Sequence, residues 1–193
     1  FLAKFCPKGL YKILKPATEL MAGVPSVVYG FFGLVVLVPL VQNIFGVAGN
    51  TMLTASVLLG IMILPTIIGV SESAIRAVPD SYYEGSLALG ASHERSVFFA
   101  TLPAARSGIL AGVVLGIGRA IGETMAVVMV AGNAPTYPTG LFQSFRVMTA
   151  NIVMEMGYAG EVQEGALVAT GVILLLFVLA VNLLFRAIFA RAC

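Results

Sequence analysis

Four stretches, residues 24–45, 52–70, 109–131 and 166–187, constrain this sequence more than any other feature, since each is long and apolar enough to cross a bilayer. A helix needs about 20 such residues to span the hydrocarbon core. In water the stretches would have to be buried, and the chain has too little charge to cover them. Only 10% of its 193 residues are charged and 59% are hydrophobic, whereas a soluble domain is about a quarter charged. The sequence therefore reads as all-α, a polytopic transmembrane helix bundle with about four spans, in a single membrane domain over residues 1–193. Pro65 is expected to kink the second span, where neighbouring helices satisfy the freed carbonyls.

The basic residues give an orientation. Lys4, Lys8, Lys12 and Lys15 precede the first span, Arg76, Arg95 and Arg106 lie between the second and third, and Arg186 and Arg191 follow the fourth. An even number of crossings separates these groups, so all can be cytoplasmic together. That places both ends of the chain and the segment 72–107 inside. The segment 132–165, with Glu155, Glu161 and Glu164, lies outside; its charges, Arg146 included, read first as solvated surface, and residues 141–156 as one or two surface helices. The start at Phe1, in an apolar-then-basic run, is expected to be an internal point of a longer chain.

Several function classes are excluded. A net charge of +2 with no basic run interleaved with aromatics argues against nucleic acid. Cys6 and Cys193 sit at opposite ends and form neither a metal spacing nor a disulfide framework. His93 is the single histidine and lies in a polar loop, without the second ligand or nucleophile an intramembrane enzyme needs. No cofactor, metal or catalytic residue is expected.

The segment 72–107 is long for a connection between spans. Asp80 and Ser81 can cap a helix beginning near Tyr82, Gly90 interrupts it, and a second helical piece through Val97, Phe98 and Phe99 leads to Leu102 and Pro103. Such an element can dock a partner protein or lie as an interfacial helix over the bundle end; spacing alone leaves both open.

The third span carries two charges, Arg119 and Glu123, four residues apart and hence expected on one helical face. Ions at membrane depth are costly and point by default to a pathway, although a structural pair that fixes packing is the alternative. A guanidinium presents paired donors matched to phosphate oxygens and stays charged. A carboxylate beside it would keep the anion from binding too tightly to leave. Gly108, Gly112 and Gly116 recur at four-residue intervals on the same span and predict a close helix–helix seam.

Glu84-Gly85-Ser86, then Gly90, then Leu102-Pro103, resembles the signature loop of ATP-binding-cassette (ABC) importer permeases, with Gly85 and Ser86 where two alanines are usual and Ala100 where isoleucine is common. Residues 118–128 (Gly-Arg-Ala-Ile-Gly-Glu-Thr-Met-Ala-Val-Val), 20–34 and 148–157 resemble the phosphate-specific permeases of that class, of the PstC type rather than its PstA partner. The resemblance covers about Leu14 to Phe185. It implies the MetI-like permease fold, here without two N-terminal spans.

The resemblance further implies a transport subunit, not an enzyme, that moves inorganic phosphate across a bacterial or archaeal cytoplasmic membrane. Glu84, Gly85, Ser86, Gly90, Leu102 and Pro103 would form the coupling element on a cytoplasmic ATPase dimer. Arg119 and Glu123 would line the substrate pathway. Further partners would be a PstA-type second permease, an extracytoplasmic phosphate-binding protein and membrane lipid. Sulfate or molybdate is the alternative cargo, and an ATP-independent anion channel or carrier the alternative machine.

Overall fold

A computed structural model describes residues 1–192; the side chains of residues 186 and 188–192, Arg186 and Arg191 among them, and all of Cys193, lie outside the described residues. The elements in chain order are α1 (Lys8–Gly23), α2 (Ser26–Phe32), α3 (Val38–Phe45), α4 (Met52–Arg76), α5 (Asp80–Ala88), α6 (His93–Ser96), α7 (Leu102–Ala104), α8 (Arg106–Ile121), α9 (Met125–Val130), α10 (Met148–Glu155) and α11 (Glu161–Ala192). There is no strand among the described residues, only an isolated bridge between Gly132 and Phe145. The all-α expectation holds.

Three helical stretches are long and apolar enough to span: Ser26–Phe45, Met52–Arg76 and Glu161–Phe185. The third expected span differs. Instead of one helix over 109–131, α8 ends at Ile121 and α9 begins at Met125. Sixteen residues make α8 about 24 Å long, short of the ~30 Å core. A fourth crossing is reached only by taking His93–Ala104 and Arg106–Ile121 together, bent by 66°.

Prolines shape three of the helices in different ways. α4 runs unbroken through Pro65. Pro39 near the start of α3 and Pro103 in α7 each follow a π-helical turn, Gly33–Leu37 and Val97–Thr101. A proline cannot donate to the preceding turn, and its ring crowds the carbonyl four residues back; a wider turn just ahead of it relieves both.

The described residues pack as two compact units. One comprises Val24–Ile63 and Gly118–Leu184. Its core is Tyr29, Leu37, Val38, Ala55, Leu58, Met62, Ala126 and Val130. Lipid tails are as apolar as these side chains, so close fit rather than water exclusion holds membrane helices together. Gly30 supplies that fit: a Cβ there would stand 2.8 Å from Met129 Sδ and 2.9 Å from Ala126 Cα. α9 can lie against α2 only because Gly30 has no side chain. The first amides of α4 are satisfied from residues 141–143, Met52 N–H donating to Gln143 O at 3.0 Å and Leu53 N–H to Leu141 O at 2.8 Å.

The outer segment of this unit is held rather than loosely solvated. Arg146 donates through Nε to Asn133 O at 2.9 Å and through Nη1 to Glu155 Oε1 at 2.8 Å and Asn151 Oδ1 at 3.2 Å. Its guanidinium therefore fastens two parts of the segment, contrary to the expectation of a free surface charge. Residues 141–147 are not helical, and the helix expected over 141–156 shrinks to α10 and one 3₁₀ turn.

The other unit comprises Phe1–Gly23, Leu64–Ile117 and the chain end from Phe185. Here α8 packs on α4. A Cβ on Gly108 would overlap that of Ala74, and one on Gly112 would stand 3.1 Å from Val70 Cβ. Gly116 is buried on the same stripe.

Candidate functional site

The break between α8 and α9 falls between the two charged residues. α8 closes with Gly122 N–H donating to Gly118 O and Glu123 N–H to Ala120 O, both at 3.3 Å. Gly122 disfavours helix by about 1 kcal/mol relative to alanine, and the Glu123 side chain offers the chain a competing hydrogen bond. Its Oε1 accepts from Ala126 N–H at 3.1 Å, capping α9. The hydroxyl of Thr149, on α10, donates to Glu123 O at 3.2 Å, and that of Thr124 donates to Gly122 O at 3.3 Å.

Arg119 and Glu123 therefore do not share one helical face. Arg119 stands half-buried in the last turn of α8, where a cation complements the partial negative charge of the terminal carbonyls. Glu123 belongs to the non-helical link. Four-residue spacing brings side chains together only while the helix continues. What the link holds is a short stretch of irregular backbone beside two charges, with α9 seated behind it: Ala126 and Val130 are fully buried and Val127 nearly so.

In the other unit, the loop after α4 turns as a helix, a glycine bend and a second helix. α5 starts earlier than expected, with Pro79 as its N-cap; neither Asp80 nor Ser81 makes a capping bond, and Asp80 lies in the first turn. A carboxylate there still favours the helix dipole. Gly90 has φ +83°. Its N–H donates to Leu87 O at 2.9 Å, and Ala91 N–H donates to Ser86 O at 3.2 Å, the paired bonds of a Schellman C-cap. That motif needs a left-handed residue, which is the physical reason for glycine at position 90.

α6 begins at Ser92, whose hydroxyl accepts from Arg95 N–H at 3.4 Å. Tyr83 on α5 and His93 on α6 meet at 2.7 Å between Oη and Nδ1, fixing the angle of the bend. Glu84 and Gly85 are exposed and Ser86 half-buried on α5; Leu102 is half-buried and Pro103 exposed at the far end. Between them Leu89 is 91% and Phe99 78% exposed, and Phe98, next to Phe99, and Tyr82, near the start of α5, are each more than half exposed. These side chains give the loop an exposed apolar edge.

One feature of this unit had no forecast. Glu72, in the last turns of α4, is only 4% exposed. Its Oε1 accepts from Tyr11 Oη at 2.8 Å and Arg76 Nε at 2.9 Å, and its Oε2 from Lys15 Nζ at 2.9 Å. Arg76 also covers the Tyr11 ring at 4.9 Å. Tyr11 and Lys15 are one helical turn apart on α1, as Glu72 and Arg76 are on α4, so each helix presents one matched face. The hydrogen bond to Glu72 raises both the Tyr11 hydroxyl and the Lys15 ammonium above their ordinary values. The two i, i+4 pairs were the available signal, but nothing in one sequence pairs helix with helix. Among the described residues no cluster of metal-ligating side chains occurs.

Spanning helices, a helix broken beside charges, and a bent loop with an exposed apolar face define an integral membrane protein of the transporter kind. The family model described as "Binding-protein-dependent transport system inner membrane component" matches residues 1–192, and the chain belongs to that family. It is 38% identical over 194 residues to the probable ABC transporter permease protein YqgH of Bacillus subtilis, covering 99% of this chain and 63% of that protein. It is 35% identical to the phosphate transport system permease protein PstC of Mesorhizobium japonicum, covering 90% of this chain and 60% of that protein. PstC of Haemophilus influenzae is 33% identical, with 99% and 67% covered. The chain thus spans roughly two thirds or less of these relatives.

Proposed function

We propose that this chain is the larger part of a PstC-type permease, one of two membrane subunits of an ABC importer that carries inorganic phosphate into the cell. The observation that carries this reading is the α5–α6 loop, a Schellman-capped bend with an exposed apolar face, in a chain similar over nearly its whole length to proteins named as phosphate permeases. The loop, residues 72–107, is cytoplasmic on this reading, and Glu84 to Pro103 meets the ATPase dimer. Hydrolysis belongs to the ATPase; this chain converts docking into movement of its helices.

The outer segment 132–165 faces a phosphate-binding protein, and a PstA-type subunit completes the pore. Arg119 and Glu123 border the pathway where α8 breaks. Interrupted helices put irregular backbone at membrane depth only where protein or a cavity surrounds it, which is where transporters place their sites. Arg119 offers its guanidinium to phosphate oxygens. Glu123 sets the geometry of the link by capping α9.

The test is labelled-phosphate uptake by the full-length gene in cells lacking their own high-affinity phosphate permease, with excess sulfate or molybdate as competitor. Energy-dependent uptake that neither competes away supports phosphate as cargo. Competition by either reassigns the cargo to that oxyanion. Uptake that persists without ATP favours a channel or carrier.

A further inference from the structure

The turn ahead of α1 lies in the crook of the α5–α6 bend. Three amides, of Lys4, Phe5 and Cys6, converge on Phe1 O at 3.3, 2.9 and 3.1 Å, so residues 1–6 form a folded turn. From it two side chains reach the loop. Lys4 Nζ stands 3.5 Å from Asp80 Oδ1 and 5.4 Å from the centroid of the Tyr83 ring, both on α5. The Phe5 ring meets His93 of α6 edge-on at 5.0 Å and Phe98 of the following π turn at 5.8 Å. His93 is the residue that Tyr83 holds. Lys4 and Phe5 thus touch both limbs of the bend at the pair that sets its angle.

The same turn is tied to the base of the second span. Arg76 Nη2 donates to Leu2 O at 3.5 Å, and Arg76 is one of three donors on the buried Glu72 carboxylate. α1, which follows the turn directly, is fixed to Glu72 by Tyr11 and Lys15. A contiguous set of contacts therefore runs from the end of α4 through residues 2–5 to both limbs of the loop, within one compact unit. Contact through packed side chains and hydrogen bonds is what carries coupling between two places in a protein.

We infer that Lys4 and Phe5 are positioning residues for coupling: they strap the α5–α6 bend to the inner end of α4, so that force on the loop reaches the membrane helix instead of being lost in flexing of the bend. The inference rests on the reading of this loop as the ATPase-docking element. No single contact is strong. The Lys4–Asp80 pair is largely solvent-exposed on the Asp80 side and worth little alone, while an aromatic contact adds specificity of geometry beyond its area. The two together hold both limbs.

The test uses the full-length permease in two arms. In the first, the permease alone in detergent is followed by hydrogen exchange. Lys4→Ser with Phe5→Ala is expected to speed exchange across residues 80–96 by about tenfold, as local opening becomes easier, with α4 unchanged. Unchanged exchange at 80–96 overturns the strap, whatever the loop binds. In the second, the permease is reconstituted with its ATPase, second permease and binding protein in phosphatidylethanolamine–phosphatidylglycerol liposomes. The double variant is expected to keep the ATPase bound while phosphate carried per ATP falls about fivefold, the lower range of site-to-site coupling. Lys4→Arg with Phe5→Tyr, which keeps charge and ring, is expected to restore the ratio.

An unchanged ratio in the double variant, or no rescue by the conservative pair, overturns the positioning role. Faster exchange at 80–96 in a protein whose wild type never binds an ATPase supports the strap and removes the coupling reading instead.

Discussion

The Glu123 carboxylate accepts a hydrogen bond from the Ala126 amide at 3.1 Å, so an acid expected to sit beside Arg119 on one helix caps the next helix instead. Cap and charge can be separated by mutation. Glu123→Gln keeps an acceptor and loses the charge, and is expected to leave thermal stability nearly unchanged while lowering uptake about tenfold. Glu123→Ala loses the cap as well, at a cost of about 1 kcal/mol. Melting in detergent and initial uptake rates read the two effects; equal uptake by Gln and wild type would make Glu123 a cap alone.

Arg119→Gln is expected to abolish phosphate uptake while the complex with the ATPase still purifies. Arg119 stands in the last turn of α8, just ahead of the break, in the unit that does not carry the α5–α6 loop. Loss of assembly together with uptake would make Arg119 a packing residue.

At position 90 the cost is conformational, because a Cβ would meet nothing within 4 Å and φ is +83°. Gly90→Val forces a β-branched residue into the left-handed region, worth at least about 1–2 kcal/mol, and is expected to leave ATP hydrolysis running without transport. Gly90→Asn, which tolerates that region, is expected to recover most of the coupling. Transport by the valine variant at the wild-type rate would refute a role for the bend.

Gly30 presents the opposite case, steric rather than conformational. Gly30→Ala would press a methyl group to 2.9 Å from Ala126 Cα on α9, and is expected to destabilise by about 1–3 kcal/mol. Gly60→Ala on α4 meets nothing within 4 Å and is expected to be neutral or stabilising by up to about 1 kcal/mol. Detergent melting of the pair checks both.

The docking of α1 on Glu72 should depend on pH. Tyr11 and Lys15 are both raised above their ordinary values by the hydrogen bond to that carboxylate. A raised group stabilises fully below its unfolded value and loses that contribution as pH passes the folded one. Docking is thus expected to hold up to about pH 10 and to weaken above it. A nitroxide at exposed position 12 should gain mobility only in that alkaline range, and Glu72→Gln should remove the dependence.

Much of the fold was legible because membrane helices must be apolar over a fixed length, and that length can be read directly. The loop was legible for a different reason: Gly90 and Pro103 are residues with strong backbone consequences, and the bend follows from them. The break after Ile121 was not. Its residues, Gly122-Glu123-Thr124, lie inside an apolar run, and hydropathy records polarity without recording where a helix stops. The stop depends on a carboxylate turning back on the chain and on Gly30 admitting α9, the second a contact far apart in sequence. The Glu72 cluster was hidden likewise, since it joins α1 to α4 across some sixty residues. Arg146 was misread because surface and anchor arginines look alike until their partners are known.

The length of α4 carries one more consequence. Its 25 residues make a helix of about 37 Å, or about 35 Å along the membrane normal at a typical tilt of ~20°, against a hydrocarbon core of about 30 Å. The surplus is roughly one turn, and with the Met52 end of α4 level with the opposite edge of the core it is the turn that bears Glu72 and Arg76. In a bilayer of ordinary thickness the carboxylate and its three donors stand among the lipid headgroups. A thicker bilayer would draw them toward the acyl chains and press α1 with them, so bilayer thickness is expected to act on the docking of α1 against Glu72.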